Sequence, residues 1–274
     1  MSQNIDPLEE KVKLAHQLAD VSGEIICRYF RQPSLPVETK LGQVSSIVTI
    51  ADCQAEEAMV EMILAEAPED GIIREEGEDI PSRSGKAWVL DPIDGTSSFV
   101  KGLPIFGTLI GLVDLECNRP LLGVVNQPVL QQRWLGVQGQ PTYYNGQLVV
   151  NPYRDDRYGN LADACLTSTT PLMFISDEQQ QVAQKLRQVC QRTAFGGDCY
   201  NYVALASGWS AMPMIILEAD LHFYDFCAIV PIVQGAGGVI TDWSGNSLIS
   251  ESTEVIAASN QFLLRQALKI IKNI

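Results

Sequence analysis

Apolar residues recur every three to four positions near the start of the chain. Leu8, Val12 and Ala15 carry this spacing, which is typical of an amphipathic helix with one face against a core. The pattern predicts a helix over residues 7–30. Further helices are predicted over residues 51–65, 177–191, 199–206 and 225–234, and a last one that Asn260 caps and that runs to Lys272.

Short apolar runs between these helices predict β-strands, because they are bounded by turn residues. The predicted strands lie at residues 72–73, 87–90, 105–113, 121–128, 133–137, 164–168, 212–217 and 239–240. The Asn145-Gly146 pair is typical of a tight β-hairpin. Strands and helices mixed in this way indicate layered packing of the α+β or mixed α/β class. The polar stretch 151–159 is the best candidate boundary between two halves, about 1–155 and 156–274.

The charge of the chain argues against several partners. Its 274 residues carry a net charge of −14, and 46% of them are apolar, so a large core is expected. Nucleic acid polymers and anionic membranes bind basic surfaces, and neither is expected here. A membrane span is not expected either, because no run of 18 apolar residues occurs. An enzyme of anionic phosphate esters would need bound cations to reverse its own field.

The cysteines and histidines favour a cytoplasmic protein without a zinc site. Seven cysteines occur, an odd number, and none forms a C-x-x-C pair, so a disulfide framework is not expected. The polar, acidic start lacks the layout of a signal peptide. Only His16 and His222 would be available for a phosphohistidine or a histidine-rich metal site.

The segment from Asp91 to Thr96 is the most informative part of the sequence. It follows the apolar run 87–90, and its first four residues fit a β-turn with proline at the second position. Such a turn would let Asp91, Asp94 and the Ile93 carbonyl face one point. The following glycine and threonine would begin a helix whose N–H groups can hold a phosphate. The segment therefore predicts metal-assisted phosphoryl chemistry, although a strand-end turn rich in Asp, Pro and Gly is an alternative.

Acidic residues at the ends of other predicted elements extend this candidate site. Asp52 lies near the start of one helix, Glu75 follows the strand 72–73, and Asp225 begins another helix. Carboxylates brought together would repel one another without cations, whereas two or more Mg²⁺ ions would make them a phosphoryl-transfer site. Alternatively, each acid caps or solvates its own element. Solvated faces are expected for the acidic pairs Glu9-Glu10, Glu56-Glu57 and Asp155-Asp156.

Three blocks of sequence resemble the inositol monophosphatase family. They are Glu75-Glu76, the stretch from Trp88 to Thr96, and Asp225 followed by Gly235-Ala236-Gly237-Gly238. The similarity runs over nearly the whole chain, and several stretches are most similar to the histidinol-phosphatase branch. The resemblance implies one domain over residues 1–274, folded as a layered αβαβα sandwich of the sugar-phosphatase type. It also implies a Mg²⁺-dependent phosphomonoesterase that forms a homodimer.

The resemblance further implies roles for individual residues. The implied ligands of two or three Mg²⁺ ions are Glu75, Asp91, the Ile93 carbonyl, Asp94 and Asp225, with Asp91 bridging two ions. The implied water-orienting residues are Asp52, Thr96 and Glu75. The implied phosphate-binding groups are the backbone N–H groups of Gly95, Thr96 and Ser97. The implied substrate contacts are Gly197, Asp198, Glu218 and Lys40.

The expected substrate is a small phosphate monoester, with histidinol phosphate, an intermediate of histidine biosynthesis, as the first choice. Its amine and imidazole would suit acidic Glu218 and Asp198. Arg74 in place of the usual glycine, and Tyr224 where most inositol phosphatases have tryptophan, bear on substrate preference. Inositol 1-phosphate and a nucleotide 3′-phosphate are alternative substrates. A non-catalytic metal-binding regulatory protein, or a structural protein of the same fold, is the alternative in another class.

Overall fold

A computed structural model describes residues 7–33, 35–39 and 47–274 of the chain. Its helices are α1 (Pro7–Tyr29), α2 (Ile50–Glu66), α3 (Thr96–Val100), α4 (Asp177–Val189), α5 (Asp198–Ser207), α6 (Phe223–Phe226), α7 (Ile229–Gly235) and α8 (Gln261–Ile271). Its strands are β1 (Val37–Thr39), β2 (Ile47–Thr49), β3 (Gly71–Arg74), β4 (Lys86–Asp94), β5 (Gly107–Asp114), β6 (Arg119–Gln127), β7 (Gln132–Val137), β8 (Tyr143–Tyr144), β9 (Gln147–Leu148), β10 (Cys165–Ser168), β11 (Arg192–Phe195), β12 (Met214–Glu218), β13 (Val239–Thr241) and β14 (Val255–Ala258).

Two larger sheets carry the fold. The first has the strand order β3-β4-β5-β6-β7-β8-β9, in which β3 and β4 are parallel and all other neighbours antiparallel. The second has the order β11-β10-β12-β14-β13, with β11, β10 and β12 parallel. Strands β1 and β2 form a small antiparallel pair just before α2. Most of the candidate site residues lie at or shortly after the carboxyl ends of β4 and β12.

Three apolar cores hold these sheets between layers of helices. Helices α1 and α2 cover the outer face of the first sheet, where Leu18 and Ile63 pack against Trp88. Helices α5 and α7 lie between the sheets, in a core that contains Val89 of the first sheet and Ile216 of the second. Helices α4 and α8 cover the outer face of the second sheet. The layers run αβαβα, which confirms the predicted fold class.

Most predicted elements are present, but the helix predicted over residues 225–234 is broken. The chain forms α6, then a turn at Cys227 and Ala228, then α7. Pro231 explains the break, because it has no N–H to donate to the carbonyl of Cys227 and its ring crowds that carbonyl. In α7 the proline lies in the first turn, where an N–H is not needed.

The segment from Asp91 to Asp94 is not the predicted β-turn. Strand β4 continues to Asp94, with Asp91 opposite Leu109 and Asp94 opposite Gly107, so β4 has one more residue than β5 between these pairs. This is a β-bulge, and Pro92 lies in it without needing a ladder hydrogen bond. The hydroxyl of Thr108 donates to the Pro92 carbonyl at 2.9 Å.

Other local predictions can be checked directly. The Asn145-Gly146 hairpin is confirmed, with φ of 46° and 76° at its two residues. The stretch 151–159 forms short 3₁₀ turns that connect the first sheet to the second. The sequence patterns did not predict β11 or β14. Across the described part of the chain, no helix is both long and apolar enough to cross a membrane.

Candidate active site

Three carboxylates from distant parts of the sequence converge at the end of β4. Asp91 and Asp94 flank the bulge, and Asp225 lies in the first turn of α6, where its Oδ2 accepts the His222 N–H at 2.6 Å. One carboxylate oxygen from each of the three lies within 4.8 Å of the other two. The distance is one that bound cations can bridge, since carboxylate oxygens coordinate Mg²⁺ at about 2.1 Å.

The electrostatics of this cluster are unfavourable for three free carboxylates. Asp91 is 1% exposed, and burial, followed by the charges of Glu75, Asp94 and Asp225, raises its pKa well above the usual range. Burial, followed by Asp198 and Asp225, does the same to the pKa of Asp94. Such a group of buried acids is stable in its ionised form only beside positive charge.

An unsatisfied oxygen gives a direct test of whether a cation fits. Within the described residues, Oδ1 of Asp91 is buried and has no hydrogen-bond partner. A buried carboxylate oxygen without a donor is costly unless a cation binds it. The oxygen belongs to the central acid of the cluster, and all the donor groups are the hard oxygens that Mg²⁺ prefers. The residues therefore fit the metal ions that the sequence implied.

Asp52 and Thr96 lie beside this cluster. Asp52 is in the first turn of α2, where its Oδ2 accepts the Thr49 N–H at 2.8 Å and the Thr49 hydroxyl at 2.6 Å. Its other oxygen lies 3.5 Å from the Thr96 hydroxyl, which also reaches the Ile93 carbonyl at 3.0 Å. Burial raises the pKa of Asp52 to about 6, against the effect of the Thr49 hydrogen bonds, and Glu75 raises it further.

The predicted phosphate-binding groups lie at the start of α3. Gly95 precedes this helix with a φ of 88°, a left-handed conformation that favours glycine. A Cβ at Gly95 would lie 3.0 Å from a carboxylate oxygen of Asp198, so the position is also crowded. The N–H groups that open a helix have no partner inside it. Those of Thr96 and Ser97 are in this position, next to Asp94.

Asp198 and Glu218 lie at different depths. Asp198 opens α5 with a φ of 44° and accepts the Ser98 hydroxyl at 3.4 Å. Burial, followed by the charge of Glu218, raises its pKa to about 6. Glu218 ends β12, is 3% exposed, and accepts hydrogen bonds from the Thr169 hydroxyl and N–H and from the Tyr202 hydroxyl. Glu218 therefore lies in the wall behind Asp198, held by Thr169 and Tyr202.

The two remaining predicted contacts are Gly197 and Lys40. Gly197 has a φ of 110° and is the residue before α5, so it positions Asp198 directly. Lys40 lies outside the described residues. The structure therefore brings Asp52, the residues of the bulge, Asp225 and Asp198 together. Glu75 lines the same cleft as Asp225, and its charge raises the pKa values of Asp91 and Asp52.

A cleft of about 1390 Å³ opens from this site. Glu75 and Asp225 line it, as do His222 and Tyr224, whose rings stack with centroids 5.1 Å apart and planes 7° apart. Its further walls are the segment 169–175, one side of α4, and β11. Sequence reasoning missed these walls, because the segment 169–175 has no apolar periodicity and isolated exposed apolar side chains give no recognisable signal. Those side chains are Leu172 and Ile175 in the segment and Phe195 at the end of β11.

The prediction that Glu56 and Glu57 form a solvated face is wrong for Glu56. Glu56 is fully buried, whereas the Glu57 side chain is 60% exposed. Arg74 donates from Nε to Glu56 at 2.9 Å and from Nη2 to Glu57 at 3.0 Å. The signal that could have found this pair was the unusual arginine directly before Glu75, since a buried or half-buried arginine needs an acidic partner.

The family resemblance is confirmed by comparison with known proteins. A sequence profile of the inositol monophosphatase family matches residues 8–274. The bifunctional phosphatase IMPL2, chloroplastic, of Arabidopsis thaliana is 39% identical over 275 residues, covering 97% of this chain and 76% of that protein. A histidinol-phosphatase of Chlorobaculum parvum is 30% identical over 249 residues, covering 91% of this chain and 92% of that protein. The structure of an inositol monophosphatase from Zymomonas mobilis matches with a TM-score of 0.83 at 40% identity, covering 98% of this chain and 100% of that chain.

The fold and the carboxylate site define a class of enzyme. The chain belongs to the inositol monophosphatase family. The members of this family are metal-dependent phosphatases that typically act on phosphate monoesters, and the chain is a phosphatase of this kind.

Proposed function

We propose that the chain hydrolyses histidinol phosphate to histidinol and inorganic phosphate, with Mg²⁺ as cofactor. The observation that carries the proposal is the acidic group beside the start of α3, where Asp198 lies against Gly95 and is near enough to Glu218 for that charge to raise its pKa. Histidinol carries a cationic amine and an imidazole, which favour an acidic surrounding over a basic one. The histidinol-phosphatase of Chlorobaculum parvum, 30% identical, supports the same choice.

The carboxylates of Glu75, Asp91, Asp94 and Asp225 and the carbonyl of Ile93 would hold two or three Mg²⁺ ions. Bound Mg²⁺ supplies an acidified water, a clamp on phosphate oxygens and a positive charge beside the leaving alkoxide. Oδ1 of Asp91 would be one of the ligand atoms, because it is buried and has no hydrogen-bond partner among the described residues.

The hydroxyl of Thr96 and the carboxylate of Asp52 would orient the attacking water. When the Thr96 hydroxyl donates to Asp52, which lies 3.5 Å away, its oxygen is free to accept a hydrogen bond from that water. Glu75, whose charge raises the pKa of Asp52, would hold the other side of the water. The water attacks phosphorus in line with the leaving oxygen, and the N–H groups of Gly95, Thr96 and Ser97 stabilise charge on the equatorial oxygens.

The leaving alcohol would lie at the mouth of the cleft that the segment 169–175 lines, with Asp198 beside Gly95 as a further contact. Asp198 would be positioned by Gly197 to contact the alcohol or its amine. The repulsion between Glu218 and Asp198, which raises the pKa of Asp198 to about 6, would be relieved by the cationic amine of histidinol. Lys40, predicted to contact the substrate, is proposed for the rim of the site. The stacked His222 and Tyr224 rings supply an aromatic wall next to Asp225.

The test is a substrate panel with Mg²⁺. We expect kcat/KM for histidinol phosphate to exceed that for inositol 1-phosphate and for a nucleotide 3′-phosphate by at least tenfold. The Asp91→Asn variant should lose activity on every ester, whereas the Asp114→Asn control, a partly buried acid at the other end of the sheet where β5 ends, should keep it. A preference for inositol 1-phosphate would refute histidinol phosphate as the substrate. If no ester releases phosphate although Mg²⁺ binds, the chain is a metal-binding regulatory protein instead.

A second candidate is inositol-1-phosphate hydrolysis. It is favoured by one observation, the 40% identity to the inositol monophosphatase from Zymomonas mobilis over nearly the whole length of both chains. The same substrate panel distinguishes the two candidates, since the carboxylate cluster serves either ester and only the alcohol differs.

Assembly and location form a separate part of the proposal. We propose a cytoplasmic homodimer, following the family resemblance and the reduced state expected for seven cysteines. Static light scattering after gel filtration measures the assembly, and a mass of about 30 kDa, that of one chain, would refute the dimer.

A further inference from the structure

We propose that Arg74 is a positioning residue that holds the Glu75 segment against α2 through the buried carboxylate of Glu56, and thereby sets the affinity for Mg²⁺. This inference rests on the proposed function only in taking Glu75 as a metal ligand. Arg74 is the last residue of β3, so its place in the chain directly precedes Glu75. Glu56 lies in the second turn of α2, one turn after Asp52.

Glu56 joins α2 to the segment around Glu75 through both of its carboxylate oxygens. Its Oε2 accepts from Arg74 Nε at 2.9 Å, and its Oε1 accepts the backbone N–H of Glu76 at 2.9 Å. The carboxylate is therefore bonded on both sides of Glu75. Because these bonds come from α2, the bridge fixes Glu75 relative to Asp52, which lies on the same helix.

The positive charge of Arg74 makes this bridge possible. Glu56 is 0% exposed, and an ionised carboxylate at such a depth requires a charged or strongly donating partner. The guanidinium of Arg74 supplies both a charge and a fork of donors, one to Glu56 and one to Glu57. The Arg74 side chain is itself mostly buried, at 15% exposure.

The loop after Glu75 is shaped to receive the guanidinium. A Cβ at Gly77 would collide with three guanidinium atoms of Arg74. Asp79 accepts the backbone N–H of Arg74 at 3.0 Å and closes the loop from the other end. The side chain of Arg74 therefore lies over its own loop, and the absence of a side chain at residue 77 leaves room for it.

Three single substitutions break the bridge without changing its charge. Arg74→Lys keeps the cation but removes the planar fork, Glu56→Asp keeps the anion but shortens its reach, and Gly77→Ala displaces the guanidinium. The matched control is Arg83→Lys, since Arg83 makes a two-bond pair with Glu69 at the exposed surface. Calorimetric titration of the full-length, metal-free protein with MgCl₂ measures the affinity, and thermal unfolding in EDTA shows that each variant is folded.

We expect each of the three variants to weaken Mg²⁺ binding about tenfold, the usual scale for residues that orient a metal ligand. The Arg83→Lys control should bind within about twofold of the wild type. The double variant Arg74→Lys with Glu56→Asp should bind Mg²⁺ with the same affinity as the single variant that binds it less tightly, because both changes break the same bridge.

Folded variants that bind Mg²⁺ as tightly as the wild type would overturn the inference. So would an equal loss in Arg83→Lys, which would indicate a general effect of losing an arginine. The result is independent of the substrate assay. If the wild type binds Mg²⁺ but releases no phosphate, the proposed function fails while the binding data still decide the role of Arg74.

Discussion

The buried charge of Asp52 provides a prediction in which stability and activity change in opposite directions. Asp52 is fully buried, and its carboxylate lies near that of Glu75. The Asp52→Asn substitution removes the charge and keeps an oxygen that can accept both hydrogen bonds from Thr49. We expect the metal-free variant to be more stable than the wild type at neutral pH and far less active with Mg²⁺.

The size of the effect follows from the pKa. Burial raises the pKa of Asp52 from 3.8 to about 6. A difference of about two pKa units, at 1.36 kcal/mol per unit, corresponds to about 3 kcal/mol of destabilisation when the group is ionised. Since the folded pKa lies above the unfolded one, the favourable contribution of the protonated form is complete below about pH 4 and is lost as the pH rises through 6.

The assay is urea unfolding in EDTA at pH 4 and at pH 7.5. The Asp52→Asn variant should exceed the wild type by about 2–3 kcal/mol at pH 7.5 and by close to zero at pH 4. The matched control is Asp70→Asn, because Asp70 is also buried but is paired with Lys11 at 2.6 Å and with the Trp88 indole N–H at 3.1 Å. Neutralising it should destabilise the protein by about 1–3 kcal/mol at pH 7.5.

Two results would refute this reasoning. One is a metal-free Asp52→Asn protein that is less stable than the wild type at pH 7.5. The other is a gain of the same size at both pH values, because a gain that does not depend on pH cannot come from the ionisation of Asp52.

Three further predictions concern the metal cluster and the core. Mg²⁺ at about a hundred times its Kd should raise the unfolding free energy of the wild type by about 2.7 kcal/mol, measured by thermal unfolding. An equal gain in the unfolding free energy of Asp91→Asn would contradict this prediction. Asp94→Asn should keep its metal-free stability, because burial and the neighbouring acids raise the pKa of Asp94 and already disfavour its charged form. Phosphate release should fall about a hundredfold or more, and near-normal turnover would exclude Asp94 as a ligand. Gly123→Ala should lower the free energy of unfolding in urea by about 2–3 kcal/mol, because its Cβ would overlap the Ala228 backbone where α7 packs on the first sheet. An unchanged urea midpoint would show that the Ala228 backbone can move to accommodate the methyl group.

The elements of this protein were largely predictable because their signals are local. The spacing of apolar residues predicted α1 and α2 within a residue or two of their ends. Asn145-Gly146 predicted its hairpin, since a tight turn requires left-handed φ values that these two residues adopt readily. The break between α6 and α7 is also a local effect of Pro231, which the apolar spacing alone did not register.

The composition of the site was predictable to a similar degree. The acids and glycine of the segment from Asp91 to Thr96 indicated metal and phosphate chemistry from their residue types alone. The resemblance to a family then connected this segment with Glu75 and Asp225. Sequence spacing did not predict the β-bulge, because the register of β4 depends on its pairing with β5.

Only the tertiary structure decided which carboxylates lie together and which are buried. Asp91 and Asp225 are separated by more than a hundred residues, yet their oxygens lie within 4.8 Å, because α6 packs against the end of β4. Glu56 and Glu57 are neighbours in sequence, and the side of α2 on which each lies makes one fully buried and the other exposed. Periodicity within one element follows from backbone geometry, which the sequence determines locally. Distances between elements follow from how their faces pack, and that requires the whole chain.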